Sequence, residues 1–332
     1  MFPRVIIYQS GQGGANKMNA FTKNSDVKVL YMGTPAMSAE VLSRLYKEGF
    51  TIVGLVCQED KEVGRKKELE AVPTKVVALA HGTPVFQPHK VRLDFEFAKA
   101  LDFDVIVTMA YGQIIPQGLL DLAEVGCINL HGSLLPKLRG AAPIQRAIME
   151  GDKETGITLM EMVAAMDAGC MYDKAVVAID PVDTYTTLCG KMATAASDLI
   201  AKDLLAYANG QLKGEEQNEK EVTIANKIKP EDEKIPLFLS CQSTIDYIRG
   251  ISEEPGGYFL LEDKKLKVYH AKIHDNQVIR AVGEIVPDRK HFLVQLYDGS
   301  IELEIVQPEG KKKMNGNDFL SGAHLGDHVL LK

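Results

Sequence analysis

The stretch from Cys127 to Pro136 holds two residue types that together suit acyl chemistry. Its sequence, Cys-Ile-Asn-Leu-His-Gly-Ser-Leu-Leu-Pro, begins like a short buried strand and breaks at Gly132. Alternate side chains of a strand share a face, so Asn129 and His131 should point the same way at the strand's carboxyl end. An amide and an imidazole side by side can polarise a carbonyl group and move a proton. This pair therefore predicts an enzyme.

A carboxylate would complete this group. Asp167 lies in a Met-Asp-Ala-Gly segment, and within hydrogen-bond reach of His131 it would favour the imidazolium form of the ring. The alternative interpretation of Asp167 is a turn residue that precedes glycine. Cys127 shares the strand face of Asn129 and could act as a nucleophile. Because Cys127 lies deeper in the predicted sheet, where cysteine usually packs as a small apolar side chain, we expect no thiol mechanism.

Two other kinds of site are disfavoured by the motifs. A metal site needs three or four converging ligands, and the remaining histidines show no H-E-x-x-H or C-x-x-C companion. We therefore expect no metal. A nicotinamide-binding loop is also poorly supported, since Gly33-Thr34-Pro35 lacks the further glycines of G-x-G-x-x-G.

The composition is that of a soluble globular protein. At 332 residues the chain has room for about two domains of roughly 100–200 residues each. Its net charge of −7 provides no overall basic field, so a polyanion would have to bind a local basic patch. The cysteines are odd in number, widely spaced and without a C-x-x-C pair, which favours the reducing cytoplasm. No apolar run approaches the ~18 residues of a membrane span.

Strands and helices alternate through the first two thirds of the chain. Apolar runs at residues 27–32, 51–57 and 104–110 are separated by helical patterns. This alternation predicts right-handed βαβ units and an α/β fold with a doubly wound, mostly parallel, Rossmann-like sheet. Ligands of such sheets bind beyond the carboxyl ends of the strands. Gly33-Thr34, Tyr111-Gly112 and the Asn129/His131 pair all fall at such ends.

The pattern changes after the long helical segment. Residues 210–228 are polar and rich in glycine, and they predict a linker between a catalytic domain at 26–209 and a second domain at 229–332. Short strands at hairpin spacing, with a tight-turn signal at Asp298-Gly299, predict that the second domain is a small antiparallel, OB-like β-barrel. Residues 1–25 contain no adequate signal peptide, and we expect a disordered extension there.

Several motifs, taken in order, resemble those of the methionyl-tRNA formyltransferase family. They are Asn-Leu-His-Gly-Ser-Leu-Leu-Pro at 129–136, Arg-Gly-Ala-Ala-Pro-Ile-Gln-Arg at 139–146, Glu-Thr-Gly-Ile-Thr at 154–158, Met-Asp-Ala-Gly at 166–169 and Gln-Pro-Glu-Gly-Lys-Lys at 307–312. The Asn-x-His and Asp core is shared with a wider group of formyltetrahydrofolate-using enzymes, including the glycinamide ribonucleotide formyltransferases. The Gly-Ala-Ala-Pro-Ile-Gln motif and the appended β-domain narrow the resemblance to the tRNA enzymes.

The resemblance implies a reaction and a set of site residues. The donor would be 10-formyltetrahydrofolate, and the acceptor would be the free amine of methionyl-initiator tRNA. Asn129 and protonated His131 would hold the developing oxyanion, while Asp167 would orient His131 and assist proton transfer. The folate pocket would be walled by Ser133, Leu134, Leu135, Pro136, Ala110, Tyr111 and Gly112. Contacts with tRNA would come from the second domain and from two basic segments, which are Arg65, Lys66 and Lys67, and Lys311, Lys312 and Lys313.

Some features depart from the family pattern. The chain has no Trp, although family members commonly carry one where Leu138 lies, and residues 250–257 replace a usual Asn-Pro-Trp-Pro-like turn. Residues 65–73 also differ from the usual Gly-Arg-Gly-Lys run. These differences bear on tRNA contact rather than on the chemistry. Two alternatives therefore stay open, namely a formylfolate enzyme acting on a small amine and a tRNA-binding protein without chemistry. We expect a monomer.

Overall fold

The computed structural model of this chain describes residues 21–63, 68–323, 325 and 328–332. Most of the predicted N-terminal extension, residues 1–20, lies outside these ranges. The predicted tRNA contacts Arg65, Lys66 and Lys67 also lie outside them.

The first domain is built on one large sheet. Its strands and those of a neighbouring hairpin are β1 (Lys28–Gly33), β2 (Thr51–Val56), β3 (Lys61–Val63), β4 (Glu68–Glu70), β5 (Val85–Phe86), β6 (Val105–Met109), β7 (Gly126–His131), β8 (Glu154–Glu161) and β9 (Met171–Ala178). The helices are α1 (Ala36–Lys47), α2 (Pro73–Ala80), α3 (Gln117–Leu120), α4 (Pro143–Met149) and α5 (Tyr185–Ala208). Short 3₁₀ turns lie at Asn24–Asp26 and Glu96–Ala100.

The strand order of the large sheet is β5-β2-β1-β6-β7-β8-β9. Strands β5, β2, β1, β6 and β7 are parallel, while β8 and β9 are antiparallel to their neighbours. This confirms the predicted mostly parallel sheet. The chain leaves β1 toward β2 on one side and later returns to β6 on the other side. A crevice therefore opens beyond the carboxyl ends of β1 and β6, as expected where strand order reverses.

Both faces of this sheet are covered by apolar packing. On β1, Val29 and Tyr31 pack into one core cluster, and Leu30 and Met32 pack into the cluster on the opposite face. Such alternation follows from the two-residue period of a strand. With both of its faces buried, β1 can present polar groups to a ligand only at its end.

The second domain is antiparallel. Its strands are β10 (Gly257–Leu261), β11 (Lys264–Asp275), β12 (Ile285–Val286), β13 (Leu293–Leu296), β14 (Gly299–Pro308) and β15 (Met314–Asn315), in the order β10-β11-β14-β13-β12 with β15 on β14. Helices α6 (Cys241–Gly250) and α7 (Gly316–Ala323) and 3₁₀ turns at Glu219–Glu221 and Pro230–Glu233 accompany it. Leu331 bridges to Leu261 of β10, and Leu330 bridges to Glu284 beside β12. The last residues thus join both sheet edges and close a barrel, as predicted.

Helix α6 fixes the second domain to the first. A Cβ atom at Gly250 would lie 2.4 Å from Met149 Cγ, so the close approach of α6 to α4 requires glycine. The buried Arg249 guanidinium donates hydrogen bonds to the carbonyl oxygens of Asp180, at 3.1 Å, and Asp183, at 2.8 Å. Among the described residues, no helix is both long and apolar enough to cross a membrane.

A buried acid in α5 makes the stability of the first domain depend on pH. Asp203 is only 4% exposed, beside Asp173 of β9 and Lys202. Burial, assisted by the Asp173 carboxyl group, raises the pKa of Asp203 to about 6. Because this folded-state pKa lies above the ordinary value, the contribution of Asp203 to stability is fully present below about pH 4 and is lost as pH rises through about 6.

We expect Asp203→Asn to stabilise the protein at pH 8 by about 1 kcal/mol, because an amide resembles the protonated carboxyl group and carries no charge. The gain should disappear near pH 4. Urea unfolding of both proteins across this pH range measures the difference. Asp94→Asn is a matched control, because Asp94 is exposed and its side chain makes no hydrogen bond among the described residues. An equal gain at pH 4 and pH 8 would contradict the explanation.

Candidate active site

His131 is the last residue of β7 and is only 5% exposed. Its Nε2 lies 3.0 Å from the carbonyl oxygen of Leu138, and its Nδ1 lies 3.6 Å from Asp167 Oδ1. A carbonyl oxygen can only accept, so Nε2 carries a hydrogen and donates it. The Nδ1–Asp167 distance exceeds that of a normal hydrogen bond. Nδ1 therefore keeps hydrogen-bonding capacity for a group in the cleft beside it.

Asp167 joins His131 to the loop before α4. One carboxylate oxygen faces the ring, and Oδ2 accepts a hydrogen bond of 2.8 Å from the backbone N–H of Gly140. The φ angle of Asp167 is +51°, in the left-handed region that residues other than glycine rarely adopt. The structure thus brings the predicted third residue to the predicted pair, although Asp167 lies 36 positions after His131 in the sequence.

Asn129 is held in one orientation by a residue that sequence analysis missed. Thr108 lies opposite Asn129 in the register of β6 and β7, and its hydroxyl donates a hydrogen bond of 2.7 Å to Asn129 Oδ1. Met162 Sδ, at 3.3 Å, is a weaker acceptor for the same proton. With Oδ1 occupied, the amide NH₂ is the part of Asn129 that remains to donate. The available signal was a lone polar residue in the apolar run Val-Ile-Val-Thr-Met.

These side chains line a cleft of about 900 Å³. Asn129, His131 and Asp167 lie along it with Ala110 and Gly112. Further lining comes from the first turn of α1, the start of α4, the first half of α5, the connection between β8 and β9 and the segment before β10. It includes Met37, Ile144, Tyr185, Thr186, Cys189, Glu253 and Glu254. The second domain therefore contributes to the cleft, which sequence analysis did not predict.

The rim at residues 110–112 presents mainly backbone to the cleft. The Tyr111 side chain is 4% exposed in the core, where burial raises the pKa of its hydroxyl. Its carbonyl oxygen accepts hydrogen bonds from Gln58 Nε2, at 3.0 Å, and Thr34 Oγ1, at 3.2 Å. Ala110 and Gly112 have φ angles of +50° and +88°, which turn the chain sharply on either side.

The other predicted folate segment is placed away from the cleft lining. Ser133 is fully buried, and its hydroxyl donates to the carbonyl oxygen of Lys137. Leu135 packs in a separate cluster with Met160 and Met171. Thr158 links the segment to β8 through Ser133 O and Leu135 N. The segment with Ser133, Leu134, Leu135 and Pro136 is therefore held in place by β8 and β9.

The predicted basic contacts in the second domain differ from one another. Lys311 and Lys312 are exposed on the turn after β14. Lys313 forms an ion pair of 3.0 Å with Glu253 and lies over the Tyr269 ring, 3.7 Å from its centroid. Glu253 lines the cleft, and its carboxylate partly neutralises the charge of Lys313 there.

The Cys127 thiol is buried in the core. Burial raises the pKa of the Cys127 thiol to about 12, so the sulfur stays protonated near neutral pH. Its Sγ lies 3.4 Å from the carbonyl oxygen of Leu120. Within the part of the chain that the structure describes, no group of three or more His, Cys, Asp and Glu residues could hold a metal ion.

Comparison with known families matches nearly the whole described chain. Residues 26–204 match the formyl transferase family, and residues 227–324 match the formyl transferase C-terminal domain. A curated methionyl-tRNA formyltransferase from Lactobacillus johnsonii is 40% identical over 309 residues, which cover 91% of this chain and 98% of that protein. The Bacillus subtilis methionyl-tRNA formyltransferase is 40% identical over 302 residues, covering 90% of this chain and 95% of that protein.

Solved structures show the same fold at lower identity. An N-formyltransferase from Helicobacter canadensis, in complex with folinic acid and dTDP-3-aminofucose, has a TM-score of 0.65 at 18% identity, covering 85% of this chain and 99% of its own. HypX from Aquifex aeolicus in complex with tetrahydrofolic acid has a TM-score of 0.62 at 14% identity, covering 90% of this chain and 48% of its own. At these identities the likeness concerns the fold alone.

Proposed function

Because the chain belongs to the methionyl-tRNA formyltransferase family, we propose that it transfers the formyl group of 10-formyltetrahydrofolate to the amino group of methionyl-initiator tRNA. The observation that supports this most directly is the grouping of Asn129, His131 and Asp167 along one wall of the cleft. An amide donor, an imidazole and a carboxylate are the groups that a direct acyl transfer to an amine requires.

In this proposal the amine nitrogen attacks the formyl carbon, and the formyl oxygen becomes an oxyanion. The Asn129 NH₂, oriented by Thr108, donates to that oxygen. His131 is fixed by its Nε2–H hydrogen bond to Leu138. In the protonated form of the ring proposed here, Nδ1–H provides a second donor. The bond between the formyl carbon and the folate nitrogen then breaks. Asp167, beside His131, accepts the proton of the attacking amine and passes it, directly or through water, to the departing folate nitrogen.

The cleft has the dimensions of a small-molecule site. Its volume of about 900 Å³ lies within the range usual for ligand pockets. We propose that the backbone of Ala110, Tyr111 and Gly112 lies against the folate, since backbone N–H and C=O groups can pair with the polar edge of a pterin. Ser133, Leu134, Leu135 and Pro136 would act indirectly, by supporting His131.

Binding of tRNA would rely on local positive charge, because the net charge of the chain is −7. We propose that exposed Lys311 and Lys312, with Arg65, Lys66 and Lys67, contact the phosphate backbone. Lys313 would contribute less, since Glu253 already pairs with it. The second domain, residues 229–332, is then the tRNA-binding domain, and residues 26–209 form the catalytic domain.

We place the protein in the cytoplasm and expect it to act as a monomer. The cysteines are all free in the structure, which suits a reducing compartment. In this proposal both substrates, initiator tRNA and the folate donor, are present in that compartment.

The decisive measurement of function is formyl transfer by the purified full chain with 10-formyltetrahydrofolate. We expect rapid transfer to methionyl-initiator tRNA, slower transfer to a methionine-charged elongator tRNA, and no transfer to dTDP-3-aminofucose. Transfer to the amino sugar but to neither tRNA would instead support a small-amine formyltransferase. Binding of initiator tRNA without consumption of the folate donor would support a protein without chemistry.

Asn129→Ala should lower kcat by about 10²–10³-fold, as removal of one oxyanion donor does in other enzymes. The KM for tRNA should change little, because the lost hydrogen bond forms mainly in the transition state. Steady-state kinetics on the folded variant, checked by circular dichroism, measure both quantities. Unchanged turnover in a folded variant would remove Asn129 from the mechanism.

A further inference from the structure

The segment that joins the two domains lies directly against the loops that carry the catalytic residues. We call residues 215–225 the connecting strap. Glu215 exchanges two backbone hydrogen bonds of 2.8 Å with Met171 at the start of β9. At its other end the strap pairs with Arg139, whose N–H donates to Thr223 O at 2.9 Å and whose C=O accepts from Ala225 N at 2.7 Å. The strap is therefore an ordered part of the catalytic domain.

Gln217 forms the central contact of the strap. Its Nε2 donates hydrogen bonds to the carbonyl oxygens of Asp167, at 2.7 Å, and Gly169, at 2.9 Å. Its Oε1 accepts a hydrogen bond of 2.9 Å from Nε of Arg139. A carboxamide has two N–H donors and one carbonyl oxygen, so this single side chain uses both donors and its acceptor. A carboxylate of the same shape could not donate to the two carbonyl groups.

The strap holds both residues that contact the His131 ring. Leu138 and Asp167 have φ angles of +59° and +51°, and non-glycine residues keep such conformations only where their surroundings impose them. Thr223 Oγ1 accepts a hydrogen bond of 2.8 Å from the Leu138 N–H. Gln217 Nε2 donates a hydrogen bond to the carbonyl oxygen of Asp167. The strap thus fixes the peptide groups on both sides of the ring.

We infer that Gln217 is a positioning residue for the reaction, which holds the Asp167 turn so that its carboxylate faces His131. This inference rests on the proposed formyl transfer. A small displacement of a catalytic group can lower a rate substantially, because the reacting groups must be aligned closely. Gln217 does not line the cleft and contacts no substrate in this proposal, so its effect must pass through Asp167.

The test is a double-mutant cycle measured in single turnovers, with enzyme in excess over methionyl-initiator tRNA. Gln217→Leu should reduce the transfer rate by about tenfold in the background that retains Asp167. In an Asp167→Asn background the same substitution should change the rate less than about twofold, because the carboxylate it positions is already absent. Gln217→Glu should resemble Gln217→Leu, since its carboxylate cannot donate to the two carbonyl groups.

Gln211→Leu is the matched control, because Gln211 is an exposed glutamine just before the strap whose side chain makes no hydrogen bond among the described residues. It should retain the full rate. An equal loss from Gln217→Leu in both backgrounds would show that Gln217 does not act through Asp167, and the inference would be wrong. Full activity of folded Gln217→Leu and Gln217→Glu would also overturn it. Absence of transfer by the unmodified protein would instead overturn the proposed function.

Discussion

The site depends on how the His131 ring is held. Its two nitrogens face two acceptors, the Leu138 carbonyl oxygen and the Asp167 carboxylate, which belong to different loops. Strand β7, which carries His131, fixes only the position of the His131 backbone. Its orientation is set by the two loops, and each of them passes through a left-handed residue at the point of contact. Loops in such conformations need support from outside themselves.

That support comes from the connection between the domains. The connecting strap is hydrogen-bonded to both loops, and it leads directly into the second domain. The second domain is itself fixed by the close packing of α6 on α4 and by the buried Arg249. It also contributes Glu253 and Glu254 to the lining of the cleft. The catalytic domain and the domain proposed to bind tRNA are therefore joined by packing and hydrogen bonds, and both contribute residues to the cleft.

The proposed oxyanion donor Asn129 is also oriented by a neighbouring element. Thr108 on β6, opposite Asn129 in the strand register, donates to the amide oxygen, so the NH₂ end of the amide remains free. Because the flanking strands are buried on both faces, the polar side chains of Asn129 and His131 lie toward the end of β7, where they line the cleft.

Much of this molecule was determined locally by its sequence. The strand period placed Asn129 and His131 on one face, and the alternation of strands and helices gave the mostly parallel sheet and the rim at its carboxyl ends. Tertiary structure decided the rest. The polar segment predicted as a linker is an ordered strap, and the predicted folate residues 133–136 pack against β8 and β9. Both outcomes depend on hydrogen bonds and packing between residues far apart in sequence. A local sequence pattern cannot show which distant residues will be in contact.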